Sequence, residues 1–294
     1  MYDQINANKR KSLLLVLFFF ALIAILGSLM GLFFDSIMAG LAVSVGIAVL
    51  FFLIQYYTGD RLILAISGAR KATKQENAYL VNSIEALSIA AGIPQPEIYI
   101  IEDTALNAFA TGRDPKHSKI VVTTGLLKAM NRLELEGVLA HEMSHVKNYD
   151  IRFMLLVITL VGVVTLISDL FLRMMLNAKS DNGKGGGLIV VLFILAIILR
   201  ILAPIIAYLI HFAISREREY LADASGAMMT RYPEGLASAL EKIKNDKEPL
   251  VEVANQSTAS LYISNPLRNS KGFLNGLFST HPPLEDRIKR LRAM

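Results

Sequence analysis

Residues 131–148 read Asn-Arg-Leu-Glu-Leu-Glu-Gly-Val-Leu-Ala-His-Glu-Met-Ser-His-Val-Lys-Asn. The segment predicts a helix: Asn131 can cap it, and Glu134, three residues on, has capping-box spacing. Four residues turn an α-helix by about 400°, so the imidazoles of His141 and His145 leave one face about 6 Å apart along the axis. Such a pair can hold two corners of a zinc tetrahedron. Glu142 is offset on the same side, where it reaches an attacking water without ligating the metal, as a general base does. The bland alternative is a surface helix that happens to carry two His and a Glu. The preceding Gly137-Val138-Leu139-Ala140 argues against it, because an apolar stretch buries a helix.

The chain around this helix is not that of a soluble protein. Of 294 residues, 53% are apolar and only 19% charged, and the mean hydropathy is +0.46. That is too apolar for an ordinary water-soluble domain and excludes disorder. Cysteine is absent, which rules out a disulfide scaffold, a thiolate metal site and a cysteine nucleophile. The net charge of +5 goes with basic loops facing a negatively charged leaflet. Aromatic and basic residues are not interleaved and no nucleic-acid-binding motif is present, so nucleic acid is not an expected partner.

Four apolar runs account for the hydropathy. The first, 12–34, follows Lys9, Arg10 and Lys11, and the second, 37–57, follows after Asp35 and Ser36. Each has about the ~20 residues that cross a bilayer. The first is too long for a signal peptide and ends without a small-residue cleavage site. The third is 153–176, and a loop over 177–187 with Gly185-Gly186-Gly187 leads to the fourth, 188–214. At 1.5 Å per residue the fourth would reach about 40 Å, more than a ~30 Å hydrocarbon core. It therefore ends near Arg200 or kinks at Pro204, with Arg200 snorkelling or paired with Asp169.

Between the hairpins the composition is that of a soluble domain. Residues 75–91 predict an amphipathic helix with Leu80, Ile84, Leu87 and Ala91 on one face, stopped by Gly92-Ile93-Pro94. Residues 98–101 and 120–123 predict strands, with 107–111 a weaker strand between them. Helix is expected again over 215–244, loop over 245–278, and a last short helix over 284–291 opened by Pro282-Pro283. Positive charge at the span ends puts both termini and the soluble segments on the cytoplasmic side.

A catalytic zinc takes a third protein ligand and keeps one open position. No further His follows at a short spacing. Glu219 and Asp223 lie four apart just after the fourth run, on one helix face. Glu219 can ligate while Asp223 accepts a hydrogen bond from a ligand imidazole and fixes its tautomer. The competing reading of 216–219 is an exposed charged turn. His281 either caps the last helix or donates to the oxyanion of a tetrahedral intermediate. His117 reads as a solvated loop residue and His211 as structural.

Three blocks resemble the HtpX family of heat-shock membrane proteases, relatives of the type I CAAX prenyl proteases. They are His141-Glu142-Met143-Ser144-His145, Ser215-Arg216-Glu217-Arg218-Glu219-Tyr220-Leu221-Ala222-Asp223, and Ser279-Thr280-His281-Pro282-Pro283. Asn107-Ala108-Phe109-Ala110-Thr111-Gly112 resembles the family pattern too. The resemblance implies one zinc per chain on His141, His145 and Glu219, with Glu142 as acid/base. It implies a nucleotide-independent endopeptidase of the bacterial cytoplasmic membrane that removes misfolded or damaged membrane proteins under stress.

The fold class expected is α+β: four transmembrane helices and a mostly helical, gluzincin-type catalytic domain with a small β-sheet. The organisation expected is a transmembrane hairpin over 1–57, the first part of the catalytic domain over 58–152, a second hairpin over 153–214, and the rest of the catalytic domain over 215–294. Asn107, Ala108 and Phe109 are candidate substrate-binding residues, since an edge strand there could pair with an extended peptide. The rival readings are a protease that processes prenylated or precursor peptides, and a catalytically silent membrane chaperone or scaffold. Intact Glu142 and ligand positions disfavour the second. Oligomeric state is not legible.

Overall fold

The structure, a computed structural model, describes residues 2–33, 36–158, 216–246, 261–263 and 282–294. The chain divides into two compact units, one of residues 1–9, 59–155 and 211–294, the other of 10–58 and 156–210. The third and fourth apolar runs lie almost wholly outside the described residues, as do Asp35, Arg200, His211 and His281.

The described part of the second unit is a helical hairpin, from α1 (Tyr2–Phe33) and α2 (Ile37–Ile66). α2 runs further than the 37–57 expected, because nothing in 58–66 breaks a helix. Large apolar side chains such as Leu14, Leu17, Ile47, Leu50 and Ile54 point outward, the reverse of a water-soluble packing. Phe20 meets Phe52 edge to face at 5.7 Å. A Cβ on Gly40 would overlap the backbone of Gly27 and Gly31, so small residues let the two helices approach. Among the described residues, α2 is the one helix long and apolar enough to cross a membrane, with mean hydropathy 2.7 over its best window.

Among the described residues the first unit holds a four-stranded sheet, six complete α-helices and the first turn of another that starts at Asp150. Strands β1 (Arg70–Lys71), β2 (Glu97–Ile101), β3 (Ala108–Gly112) and β4 (Ser118–Thr123) lie in the order β1-β2-β4-β3. β2 and β4 are parallel, with Tyr99 opposite Val121, and the two outer pairings are antiparallel. The weaker strand of the sequence reading is thus an edge strand, and all five of its residues are buried. Buried Lys119 on β4 pairs with Asp60 near the end of α2.

α3 (Ala78–Ala91) buries Leu80, Ile84, Leu87 and Ala91, the face its periodicity predicts. It ends at Gly92, whose left-handed φ of 69° suits glycine. α4 (Thr124–Ala129) is capped by the Thr123 hydroxyl, which accepts from the Leu126 N–H. α5 (Arg132–Lys147) carries the motif. Its capping box is complete: the Asn131 side chain accepts from the Glu134 N–H, and the Glu134 carboxylate accepts from the Asn131 N–H. The single helix expected over 215–244 is two, α6 (Arg216–Thr230) and α7 (Pro233–Asn245). They part where Arg231 takes a φ of 54° and Pro233 can only begin a helix. α8 (Leu284–Arg292) follows Pro282-Pro283.

α5 is the axis of this unit, with β3, α3, α6 and α7 packed around it. Val138, Leu139 and Met143 join Leu236 and Leu240 of α7, Ile84 of α3 and Ile120 of β4 in one core. A helix covered on all sides carries its polar residues inside with it, and those are His141, Glu142 and Ser144, each at most 1% exposed.

Candidate metal centre

His141 and His145 leave α5 one turn apart, and Glu219 reaches the same point from α6. The two Nε2 atoms are 3.2 Å apart. Glu219 Oε2 lies 3.7 Å from His141 Nε2, and Oε1 lies 3.5 Å from His145 Nε2. Zinc bonds of 2.0–2.1 Å imply ligand-to-ligand edges of about 3.4 Å in a tetrahedron. Among the described residues these three form the one group spaced to hold a metal.

Each imidazole is held from behind by a carboxylate. His141 Nδ1 is 2.9 Å from Asp223 Oδ1, and His145 Nδ1 is 3.1 Å from Asp150 Oδ2. An Nδ1–H donated to a carboxylate leaves Nε2 with a lone pair. In the metal-free chain a proton on His145 bridges the two Nε2 atoms, and a metal cation at the same point takes its place. Four buried carboxylates (Glu142, Asp150, Glu219, Asp223) surround the point, against two buried guanidiniums, Arg218 and Arg287. A divalent cation neutralises that excess. Donor type, spacing and charge therefore all fit zinc.

The carboxylates are themselves fixed. Asp223 takes two hydrogen bonds from Arg287, Nε to Oδ2 at 2.9 Å and Nη2 to Oδ1 at 2.7 Å. Arg287 is fully buried; its Nη1 donates to the Ile263 carbonyl and lies 3.4 Å from Glu219 Oε2. Asp150 is brought back towards His145 by the turn after α5, where Tyr149 adopts a φ of 62°. Asn8, on the first turns of α1, donates to Asp150 Oδ1 at 2.7 Å and to the Asn148 carbonyl at 2.8 Å.

Burial and these partners set the charges. Burial would raise Asp223, but Arg287 and His141 outweigh it and hold its carboxyl well below the usual range. His141 is lowered by burial and by the Arg287 charge, so it is a neutral ligand. Burial would also lower His145, yet the hydrogen bond to Asp150 and the charge on Glu219 push it up to about 9 in the metal-free chain. Burial pushes Glu142 up to about 7.

The structure brings together His141, Glu142, His145, Glu219 and Asp223, all expected from spacing. Glu217 is exposed and stands apart from them. Asn107 and Phe109 are placed differently from a substrate-facing pair. Asn107 is buried, and its Oδ1 accepts from the Ala108 N–H. Phe109 is buried edge to face against Tyr262 at 4.9 Å. The Ala108 carbonyl accepts from the Ile263 N–H at 2.9 Å, so this part of the β3 edge is already taken. The Ala110 backbone N–H faces Glu142 instead. His117 sits exposed in the Pro115–His117 turn, its Nδ1 2.8 Å from Asp114. Asp150, Arg287 and Asn8 are the members that sequence reasoning missed. Arg287 lies 146 positions from His141 and Asn8 lies 142 from Asp150, and no local spacing signals either.

Fold and site together define a zinc metallopeptidase. Residues 74–294 match peptidase family M48, and the chain belongs to that family. It is similar over its whole length to proteins described as protease HtpX homologues. It is 47% identical to one from Dictyoglomus thermophilum, covering 94% of that protein. It is 47% identical to one from Tropheryma whipplei over 98% of it, and 42% identical to one from Listeria monocytogenes over all of it. The crystal structure of S. mikatae Ste24p shares the fold, with a TM-score of 0.51 at 21% identity, over 99% of this chain and 67% of that one. The chain is accordingly a membrane zinc metalloprotease.

Proposed function

We propose that this protease cleaves misfolded or damaged membrane proteins on the cytoplasmic side of the membrane, with zinc held by His141, His145 and Glu219. The arrangement that carries the reading is the convergence of two Nε2 lone pairs and one carboxylate at 3.2–3.7 Å, each imidazole backed by its own aspartate. Zinc, when bound, supplies a Lewis acid that polarises the scissile carbonyl and acidifies a water.

The chain's own groups do the rest. Glu142 takes a proton from the attacking water and returns it to the leaving amine. Its elevated pKa suits both halves of that transfer. Asp223 and Asp150 keep the two imidazoles in the Nδ1–H tautomer, and Arg287 keeps Asp223 ionised. An extended substrate pairs with the edge of β3 near Ala110, next to Glu142, and main-chain pairing of this kind suits broad specificity. His281 donates to the oxyanion. The N-cap position of α8 belongs to Pro283, which favours that role over capping.

Paired measurements of metal content and casein hydrolysis on the purified full-length chain test the assignment. Glu142→Ala is expected to keep zinc and lose hydrolysis by about three orders of magnitude or more. Glu219→Gln loses both zinc and hydrolysis, while Glu217→Gln stays within a few-fold of wild type. Near-normal turnover by Glu142→Ala, or metal loss in Glu217→Gln with retention in Glu219→Gln, refutes it.

A further inference from the structure

A cavity of about 730 Å³ opens beside the turn that follows α5, in the same compact unit as the metal centre. Its lining is part apolar, with Ile5, Ile93 and Pro94, and part cationic, with Lys116, Lys147 and Arg152. Asp114 is the one acid in the lining, and its carboxylate is already engaged by the His117 ring at 2.8 Å and the His117 N–H at 3.0 Å. Among the described residues, none of the three cations has a carboxylate partner. Lys147 sits in the last turn of α5, where a cation complements the helix dipole. That accounts for one of the three; the other two belong to separate elements.

Arg152 is pre-set. Its Nε donates to the Arg113 carbonyl at 2.7 Å and its guanidinium lies 4.9 Å from the centre of the Tyr149 ring. Lys9 Nζ lies 4.5 Å from the centre of the same ring. In sequence, Lys9 stands three residues before the apolar run at 12–34, and Arg152 stands directly before the run at 153–176. Segments that enter a bilayer carry such residues at the level of the lipid headgroups.

We infer that this cavity binds the phosphate of an anionic phospholipid. The cations grip the phosphodiester, and Ile5, Ile93 and Pro94 lie against the glycerol and the first acyl carbons. A free phosphate ion offers the same charge but leaves the apolar part of so large a cavity unused, so the lipid is the source that fits. The inference rests on the membrane reading of the apolar runs and is independent of the substrate reading. The site lies beside the turn that carries Asp150, since Tyr149 and Arg152 flank that aspartate in sequence.

Native mass spectrometry of the zinc-loaded, full-length chain in neutral detergent tests this, with phosphatidylglycerol, phosphatidylcholine or inorganic phosphate offered in turn. Wild type is expected to retain phosphatidylglycerol about tenfold over phosphatidylcholine, because the cations favour the lipid of net negative charge. Millimolar phosphate leaves the bound lipid in place. The Lys116→Gln/Lys147→Gln double variant loses the preference while its zinc content and casein hydrolysis in detergent stay at wild-type level. If the double variant fails to fold, Lys147→Gln and Lys147→Arg are compared, and only Lys147→Gln is expected to weaken the preference. Equal retention of both lipids by wild type, displacement by phosphate, or an undiminished preference in the charge-removing variants overturns the site. A chain that retains neither lipid overturns the site too, and leaves the membrane and metal readings standing.

Discussion

At the scale of single residues, the centre is a set of ligands that cannot relax. Asp150 and Asp223 hold Nδ1 on two imidazoles, so the asparagine variants remove charge while keeping shape. Asp150→Asn and Asp223→Asn are each expected to weaken zinc binding by about 10–100-fold, read by competition with a chelator; unchanged affinity in both removes the tautomer argument. The pH dependence has a definite sign. In the metal-free chain His145 is held protonated up to about 9, and zinc must displace that proton. Affinity therefore rises about tenfold per pH unit below 9 and levels off above it, with one proton released per zinc bound at pH 8. A zinc affinity that is flat from pH 7 to 8.5 contradicts the charge state assigned to His145. His141, Glu142, His145, Glu219 and Asp223 were legible in the sequence because helical spacing fixes which side chains share a face. Asp150 was not, since it depends on the left-handed backbone of Tyr149, which has no glycine to announce it. Arg287 and Asn8 come from distant segments and are defined only by packing.

At the scale of elements, α5 is specified twice, by its capping box and by its glycine. A Cβ on Gly137 would lie 2.6 Å from the Leu236 backbone nitrogen on α7. Alanine improves helix propensity by about 1 kcal/mol, but forcing α7 away from α5 costs about 1–3 kcal/mol. Gly137→Ala is thus expected to lower the melting temperature of the detergent-solubilised protein; a rise would mean that α7 yields freely. The long helices and the two inner strands were legible from periodicity and β-branched runs. β1 was not, because Arg70–Lys71 has only two exposed residues and no pattern. α4 was not, because six residues are too few for a periodic signal. The break at Arg231 is announced by Pro233 two residues on, which begins a helix rather than continuing one, so the single helix expected over 215–244 passed over a legible signal.

At the scale of the whole molecule, the charge at the ends of the apolar runs predicts that the soluble segments share one side of a membrane. The absence of cysteine makes the test direct, since any introduced thiol is the only one present. Lys128→Cys, at an exposed position on α4, is expected to react with an impermeant maleimide only after lysis. Asp35→Cys reacts in intact cells. Labelling of Lys128→Cys in sealed cells reverses the orientation. The centre also draws its parts from far apart along the chain, with Arg287 arriving 146 residues after His141. At about 5–20 residues per second, a ribosome needs roughly 7–30 s to travel that distance. The histidine pair is made at the start of that interval and Glu219 about halfway through it, while the arginine that keeps Asp223 charged comes only at its end. The centre therefore reaches its full set of supports only when the chain is almost complete, and a nascent enzyme holds its zinc less tightly than a finished one.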